Sequence, residues 1–422
     1  MDYTPRLLDG KLSELLGILP AVSVEGAKGV GKTETATRLA ADVFSLDTVS
    51  TRDNLAADPS LVLGGKPPTL IDEWQLVPPV WDVVRRAVDA GAEPGRFLLT
   101  GSATLAPNVR VHSGAGRIVR LLMRPLSFPE RGLAAPSVSL AELLDGERPE
   151  IGGKSTVTTA DYVDEIVASG LPGIRNAKPA ARGYLLDSYI DRVVDRDIAE
   201  AGQNVRQPQA LRAWLTAYAA ATATLASYAT VLDAATGGES DKPSRTTVTG
   251  YREALTRIWV LDPLPAWQPT FAHLSRLAKG PKHHLVDPGL AARLVGASAS
   301  SLIKGDGDPD FPRDGTFLGA LFESLVVQTV RVLAELAGCR VSHFRDRDER
   351  EIDIIVQRPD SRVLAIEVKL AGAVRPKDVA TLNWLDAQMP GKVVDKLIIN
   401  TSDRAFRRPD GVAVVPLALL GA

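Results

Sequence analysis

The chain has 422 residues, 45% of them hydrophobic and 24% charged, with a formal net charge of −2 and one cysteine, Cys339. That length exceeds one ordinary core and implies two or three domains, and the near-neutral balance excludes a global basic field drawing the whole protein onto nucleic acid. A lone cysteine excludes an internal disulfide, and neither a signal peptide nor an apolar run of about 18 residues is legible, so a cytoplasmic protein without a membrane partner is expected.

Residues 6–19 place Leu7, Leu8, Leu12, Leu15, Leu16 and Ile18 at helical spacing. A short apolar strand, AVSVEG, runs into the glycine-rich GAKGVGKT, and ETATRLAADV continues as a helix. PPTLIDE reads as a second buried strand, VWDVVRRAVDAG as an amphipathic helix with a glycine stop, and GRFLLTGSAT as a third strand and turn. Strands alternating with helices predict a parallel sheet wrapped by helices. Residues 131–160, rich in Pro, Gly, Ser and Thr, read as a connection with little regular structure. Residues 160–235 read as helices until GGESDKPS breaks the pattern. SRTTVTGYREALTRIWVLDPLPAW follows as a capped helix and a short strand, a spacing that suits a winged helix. After the polar linker KGDGDPDFPRDG, a new unit opens with the long apolar helix TFLGALFESLVVQTVRVLAELAG. The strands CRVSHFRD, REIDIIVQ, VLAIEVKL and KVVDKLIIN follow, with RPKDVATLNWLDAQ as a helix. The expected units are residues 1–135, 136–312 and 313–422.

Gly26, Ala27, Lys28, Gly29, Val30, Gly31, Lys32 and Thr33 fit G-x-x-x-x-G-K followed by Ser or Thr at every fixed position. Glycines let such a loop curl so that successive N–H groups face phosphate oxygens, and the next helix adds its positive end. Lys32 would reach the β and γ phosphates and Thr33 would hold Mg²⁺. Asp72 and Glu73 end an apolar strand about 40 residues on, by the same motif logic. Asp72 suits the Mg²⁺ shell through water, and Glu73 suits polarising the attacking water. Ser102, with Thr100 as the other candidate, ends the next strand where a hydroxyl would report the γ-phosphate.

These motifs stand in order with RLLMRPLSFPE, SGLPGI, YIDRVVDRDI, HHLVDPGLAARLVG, LGALFESLVV and IEVK. Over nearly its entire length the chain resembles a prokaryotic family that joins an AAA-type P-loop core to a C-terminal domain of unknown function. The resemblance implies ATP rather than GTP. In AAA-type proteins an arginine beyond the sensor strand often acts on a neighbour's nucleotide, which makes Arg117 the first choice here, ahead of Arg110, Arg120 and Arg124. Arg192 and Arg196 are rivals, set among Asp191, Asp195 and Asp197 on a helix where pairing is the plainer expectation.

In VLAIEVKL, strand periodicity puts Val363, Ala365, Glu367 and Lys369 on one face. Asp353 lies on the preceding predicted strand and Glu323 on the helix before it. The set fits the order of PD-(D/E)XK nucleases, and the family's C-terminal domain resembles that restriction-endonuclease-like α/β fold. Glu323, Asp353 and Glu367 would then share Mg²⁺, and Lys369 would orient a water. A structural remnant in which Glu367 and Lys369 merely pair is the alternative. Arg345, Arg347 and Arg350 lie beside the site and suit either phosphate contact or a solvated turn. His283 and His284, adjacent on a strand, point to different faces and read as structural. The fold expected is therefore α/β, with a P-loop NTPase core, a helical and winged-helix middle region and a nuclease-like end. Its function is expected to be an ATP-hydrolysing switch acting on the C-terminal part. The alternatives are an ATP-regulated Mg²⁺ nuclease on DNA or RNA, and a nucleotide-binding scaffold for a protein partner. Nucleic acid, a protein and further copies of the chain stand as candidate partners.

Overall fold

Five parallel strands build the first sheet: β1 (Ala21–Glu25), β2 (Asp42–Ser45), β3 (Thr69–Asp72), β4 (Phe97–Gly101) and β5 (Val119–Leu122), in the order β2-β3-β4-β1-β5. They belong to a computed structural model that describes residues 3–103, 114–203, 205–237, 245–267, 280–304 and 314–422. β1, β3 and β4 are buried throughout, as expected of parallel strands covered on both faces. Alternate residues feed two different cores. Val22, Val24, Leu70 and Leu98 face one, and Ala21, Ile71, Phe97 and Leu99 face the other, where Val80, Trp81 and Val84 of the helix Pro79–Asp89 pack.

Two strands differ from the sequence expectation. The helix opening at Lys32 stops at Thr37 instead of running through ETATRLAADV, and β2 starts at Asp42. β2 is the half-exposed edge of the sheet, so it shows no continuous apolar run. β5 carries the exposed Arg120 in its middle and hides its strand character for the same reason.

The stretch expected to be irregular contains β6 (Val138–Ser139) and the helix Leu140–Asp145, capped by the Ser139 hydroxyl. Helices then dominate: Thr159–Val167, with a reciprocal Thr158/Asp161 capping box, Pro179–Arg192, Pro208–Ala220, Tyr228–Ala235 and Arg245–Arg257. Two isolated bridges follow, Leu261 opposite Leu285 and Leu264 opposite Lys282, in place of the expected short strand. Residues 238–244 and 305–313, which make up most of the two predicted breaks, lie outside the described residues, as does Arg110.

The C-terminal unit is a mixed sheet packed on the helix Asp314–Leu336. Its strands are β7 (Arg340–Arg345), β8 (Glu351–Gln357), β9 (Val363–Val368), β10 (Val393–Asn400), β11 (Phe406–Arg407) and β12 (Ala413–Pro416), ordered β11-β12-β10-β9-β8-β7. β7, β8 and β9 are antiparallel neighbours, while β9, β10 and β12 run parallel. A final strand, β13 (Leu420–Gly421), returns to pair with β6. The three units therefore share material: one apolar cluster contains Leu98, Ile166, Leu285, Phe322 and Leu417. The segment Phe317–Leu336 is long and apolar enough to cross a membrane, against the sequence expectation, but 83% of its most apolar window is buried inside the protein. It is apolar because it is a wall common to the units.

Candidate nucleotide site

The glycine-rich loop leaves the C-terminal end of β1, the strand between β4 and β5. Gly26, Gly29 and Gly31 have φ of +151°, +78° and +100°, conformations that only glycine adopts freely. At Gly26 a Cβ would sit 2.1 Å from the Met123 carbonyl oxygen, so the loop passes directly against the strand beside it. The N-terminal segment fixes the loop from behind. The buried Arg6 donates to the carbonyls of Val30 and Arg124, both at 2.7 Å, and pairs with Glu130 at 3.0 Å. Glu130 also accepts from the amides of Leu7 at 2.9 Å and Ser127 at 2.7 Å.

Lys32 is buried, and its ammonium donates to the carbonyls of Gly26 and Ala27, both at 2.9 Å. Among the described residues it has no carboxylate within ion-pair distance. Burial pushes its pKa down to about 8, against the pull of Glu73 and Asp72. A buried cation held only by carbonyl dipoles lacks a counter-charge, and a polyphosphate supplies one. The loop thus fits the anion that its motif implies.

The Thr33 hydroxyl donates to Asp72 Oδ1 at 2.8 Å, across 39 residues of chain. The Thr100 hydroxyl donates to the same oxygen and accepts from the Glu73 amide at 3.3 Å. Burial raises the Asp72 pKa, with the hydrogen bonds from Thr100 and Thr33 opposing it. This hydroxyl and carboxylate are hard oxygen donors of the kind that suit Mg²⁺. Glu73 adopts a left-handed backbone, φ +56°, uncommon for a non-glycine residue and worth about 1–2 kcal/mol of strain. Its carboxylate accepts from Ser102 Oγ at 2.7 Å and from the Gln75 amide. Thr100 therefore touches the candidate metal ligand, and Ser102 touches the candidate base. Gln75, whose amide also reaches Ser102 at 3.2 Å, went unread in the sequence.

The arginines divide differently. Arg117 bonds Asp89 at 2.7 Å, at the C-terminal end of the helix Pro79–Asp89. That helix leads back to the start of β4, and Arg117 itself precedes β5, so it stands at the N-terminal end of the strands, away from the loop at the C-terminal end of β1. Arg120 pairs with Glu25 at 3.2 Å and lies over the Trp81 ring. Arg124 is buried against Asp262 at 2.8 Å. Arg192 and Arg196 pair with Asp197 at 3.5 Å and Glu200 at 2.6 Å. The less anticipated partner is Lys28, at the tip of the loop. Its ammonium bonds Asp197 at 2.6 Å and Glu200 at 3.2 Å, and its carbonyl accepts from Tyr189 at 3.3 Å. Residues Val193–Asp197 form one π-helical turn, a feature frequent at functional sites.

The C-terminal set is brought together in part. Pairing of Ile354 with Ile366 sets Asp353 next to the end of β9, where its Oδ2 accepts from the Val368 amide at 2.8 Å. Lys369 pairs with Glu367 at 2.7 Å. Asp353 Oδ1 and Glu323 Oε1 do not face an open position. Each bonds the ammonium of Lys282, at 2.8 Å. Among the described residues no three His, Cys, Asp or Glu side chains are arranged to hold a metal. The Mg²⁺ expected at Glu323, Asp353 and Glu367 thus meets an internal cation that the sequence reading overlooked. Burial, with Asp353 adding, pushes the Glu367 carboxyl up to about 8. Arg350 is tied to Asp346 at 2.9 Å and Asp348 at 2.8 Å and lies over Trp384, and Arg345 lies 3.6 Å from Glu351. His283 bonds the Ala226 carbonyl, whereas His284 bonds Ser324, so the two diverge as strand alternation requires.

Known proteins extend this picture. Residues 19–131 match the family described as AAA domain. Residues 159–301 and 318–420 match two domains of unknown function, DUF8612 and DUF4143. The uncharacterized proteins Mb2031c of Mycobacterium bovis and Rv2008c of Mycobacterium tuberculosis are each 27% identical over 368 residues, covering 85% of this chain and 72% of theirs. Among solved structures, the Walker-type ATPase PABY2304 of Pyrococcus abyssi aligns with a TM-score of 0.40 at 15% identity, over 69% of this chain and 96% of its own. The Aeropyrum pernix ORC2 protein, solved in ADPNP–ADP complexes, aligns with a TM-score of 0.30 at 15% identity, over 72% and 96%. Residues 19–131 are thus similar to an AAA domain, and the matches to the middle and end of the chain are to domains of unknown function.

Proposed function

We propose that the protein is an ATP-hydrolysing switch, in which the nucleotide on the Gly26–Thr33 loop sets the position of the helical region and, through it, the C-terminal unit. The observation that carries this reading is the Lys28 ammonium, which belongs to the phosphate loop yet is bound by Asp197 and Glu200 of the helical region. Phosphate oxygens arriving at the loop compete with those carboxylates for the same cation. The helical region shares its apolar core with Phe322 and Leu325 of the long C-terminal helix, so a shift at Asp197 has a packed route onward.

In the chemical step, Lys32 would supply positive charge at the transferred phosphoryl group, and Thr33 and Asp72 would hold Mg²⁺, which would supply further neutralisation of phosphate charge. Glu73 accepts a proton from the attacking water once its carboxylate exchanges the Ser102 and Gln75 donors for that water. Arg117 would contribute only across an interface between copies of the chain. A nucleic acid or protein partner would act on the same switch.

The test has three arms. Lys32→Ala should abolish binding of labelled ATP. Glu73→Gln should retain ATP and lose turnover. Hydrogen exchange over residues 189–200 should change when wild type binds ATP and stay unchanged in Lys32→Ala. ATP binding without any exchange response in that segment sinks the switch while leaving the ATPase intact. Turnover measured with DNA and RNA then tells a nucleic-acid partner from a protein one.

A further inference from the structure

Lys282 comes from the middle region, yet its side chain ends inside the C-terminal unit and is 1% exposed. Its ammonium lies 2.8 Å from Glu323 Oε1, 2.7 Å from Glu351 Oε1 and 2.8 Å from Asp353 Oδ1. Glu323 and Asp353 accept hydrogen bonds from it, and Glu351 adds a third negative charge as an ion pair. Burial disfavours that charge, but Asp353, Glu323 and Glu351 outweigh it and keep the lysine protonated. The other Asp353 oxygen accepts from the Val368 amide, which fixes the carboxylate in place.

The backbone fixes Lys282 in place. Its amide and carbonyl exchange two bonds with Leu264, both 2.9 Å. The same ladder runs onto β7, where the His343 amide donates to the Pro265 carbonyl at 2.9 Å and the Trp267 amide to the His343 carbonyl at 2.7 Å. The His343 ring bonds the Gly280 carbonyl at 2.8 Å, two residues before the lysine. This is a main-chain joint between the middle region and β7.

We propose that Lys282 is the resident cation of this acidic site. Its ammonium takes the place that a divalent ion would need among Glu323, Glu351 and Asp353. The C-terminal unit therefore folds and docks on the middle region without metal, and does not cut nucleic acid in this arrangement. Three carboxylates of this kind are hard oxygen ligands, so removing the ammonium leaves them free to draw together around Mg²⁺ or Mn²⁺. The inference does not depend on the nucleotide switch, since none of these residues touches the phosphate loop.

Mn²⁺ binding to the nucleotide-free full chain, followed by electron paramagnetic resonance, tests it. Wild type and Asp353→Asn should bind the same number of ions. Lys282→Ala should gain one ion per chain, held at least about tenfold more tightly than any in wild type, and Lys282→Ala/Asp353→Asn should lose it again. Mn²⁺ should raise the melting temperature of Lys282→Ala alone. An Asp353-dependent ion in wild type, or a folded Lys282→Ala that gains none, overturns the proposal. So does cleavage of DNA or RNA by wild type that Asp353→Asn abolishes. If Lys282→Ala folds only when Mn²⁺ is present, the proposal holds; if Mn²⁺ fails to rescue it, the proposal fails.

Discussion

Asp262 is where the three parts of the chain meet, and replacing it by asparagine should destabilise the whole protein. Its carboxylate receives Arg124, which follows β5, at 2.8 and 3.3 Å, and Arg331 of the long C-terminal helix at 2.5 Å. Both arginines are buried, so neither recovers water as a substitute. An asparagine side chain at this position would turn an amide N–H₂ toward one of the arginines and leave two buried guanidiniums without their counter-charge. Breaking a buried ion pair in this way costs ~3–5 kcal/mol. With a urea dependence of about 3 kcal/mol per M, the unfolding midpoint should fall by about 1–1.7 M. Burial alone would raise the Asp262 pKa, but Arg124 and then Arg331 hold it well below the usual carboxylate range. A depressed folded pKa gives stability that is present above the unfolded value and lost as pH falls through the folded one. The gap between wild type and Asp262→Asn should therefore stay constant between roughly pH 5 and 8. A midpoint shift below about 0.3 M at unchanged slope refutes the reasoning.

Gly26→Ala should cost at least about 1–3 kcal/mol and weaken ATP binding by about tenfold or more, because its Cβ would meet the Met123 carbonyl at 2.1 Å; an Ala variant that binds labelled ATP normally contradicts this. Asp197→Asn frees Lys28 for the nucleotide. For a half-buried pair worth about 1 kcal/mol, ATP affinity should rise about fivefold while the exchange response of residues 189–200 disappears, and an unchanged or weaker affinity counts against the competition. Burial pushes the Lys32 pKa down to about 8, and bound phosphates would keep it charged. ATP affinity measured calorimetrically should therefore hold up to about pH 7 and fall by about tenfold per unit above 8, with proton uptake on binding; a flat profile to about pH 9.5 rules this out.

The phosphate loop and the strand pair that serves it were legible from residue order. Positive φ at Gly29 and Gly31, a lysine and hydroxyl at the start of the next helix, and an acid at the end of a buried strand are demands of local geometry. They therefore leave a mark at fixed spacing. The apolar runs of β1, β3 and β4 were legible because both faces of a parallel strand are buried, whereas β2 and β5 carried no such mark at the sheet edge or around Arg120. Charge pairs obey no spacing rule. Lys28 meets Asp197 across 169 residues, Arg6 meets Glu130 across 124, and Lys282 meets Glu323 across 41. A lysine reads the same in one dimension whether it waits for phosphate, latches a helix or fills an acidic hollow. Only packing assigned Lys32, Lys28 and Lys282 their different surroundings, because a buried cation is tolerated solely where the folded chain closes oxygens around it.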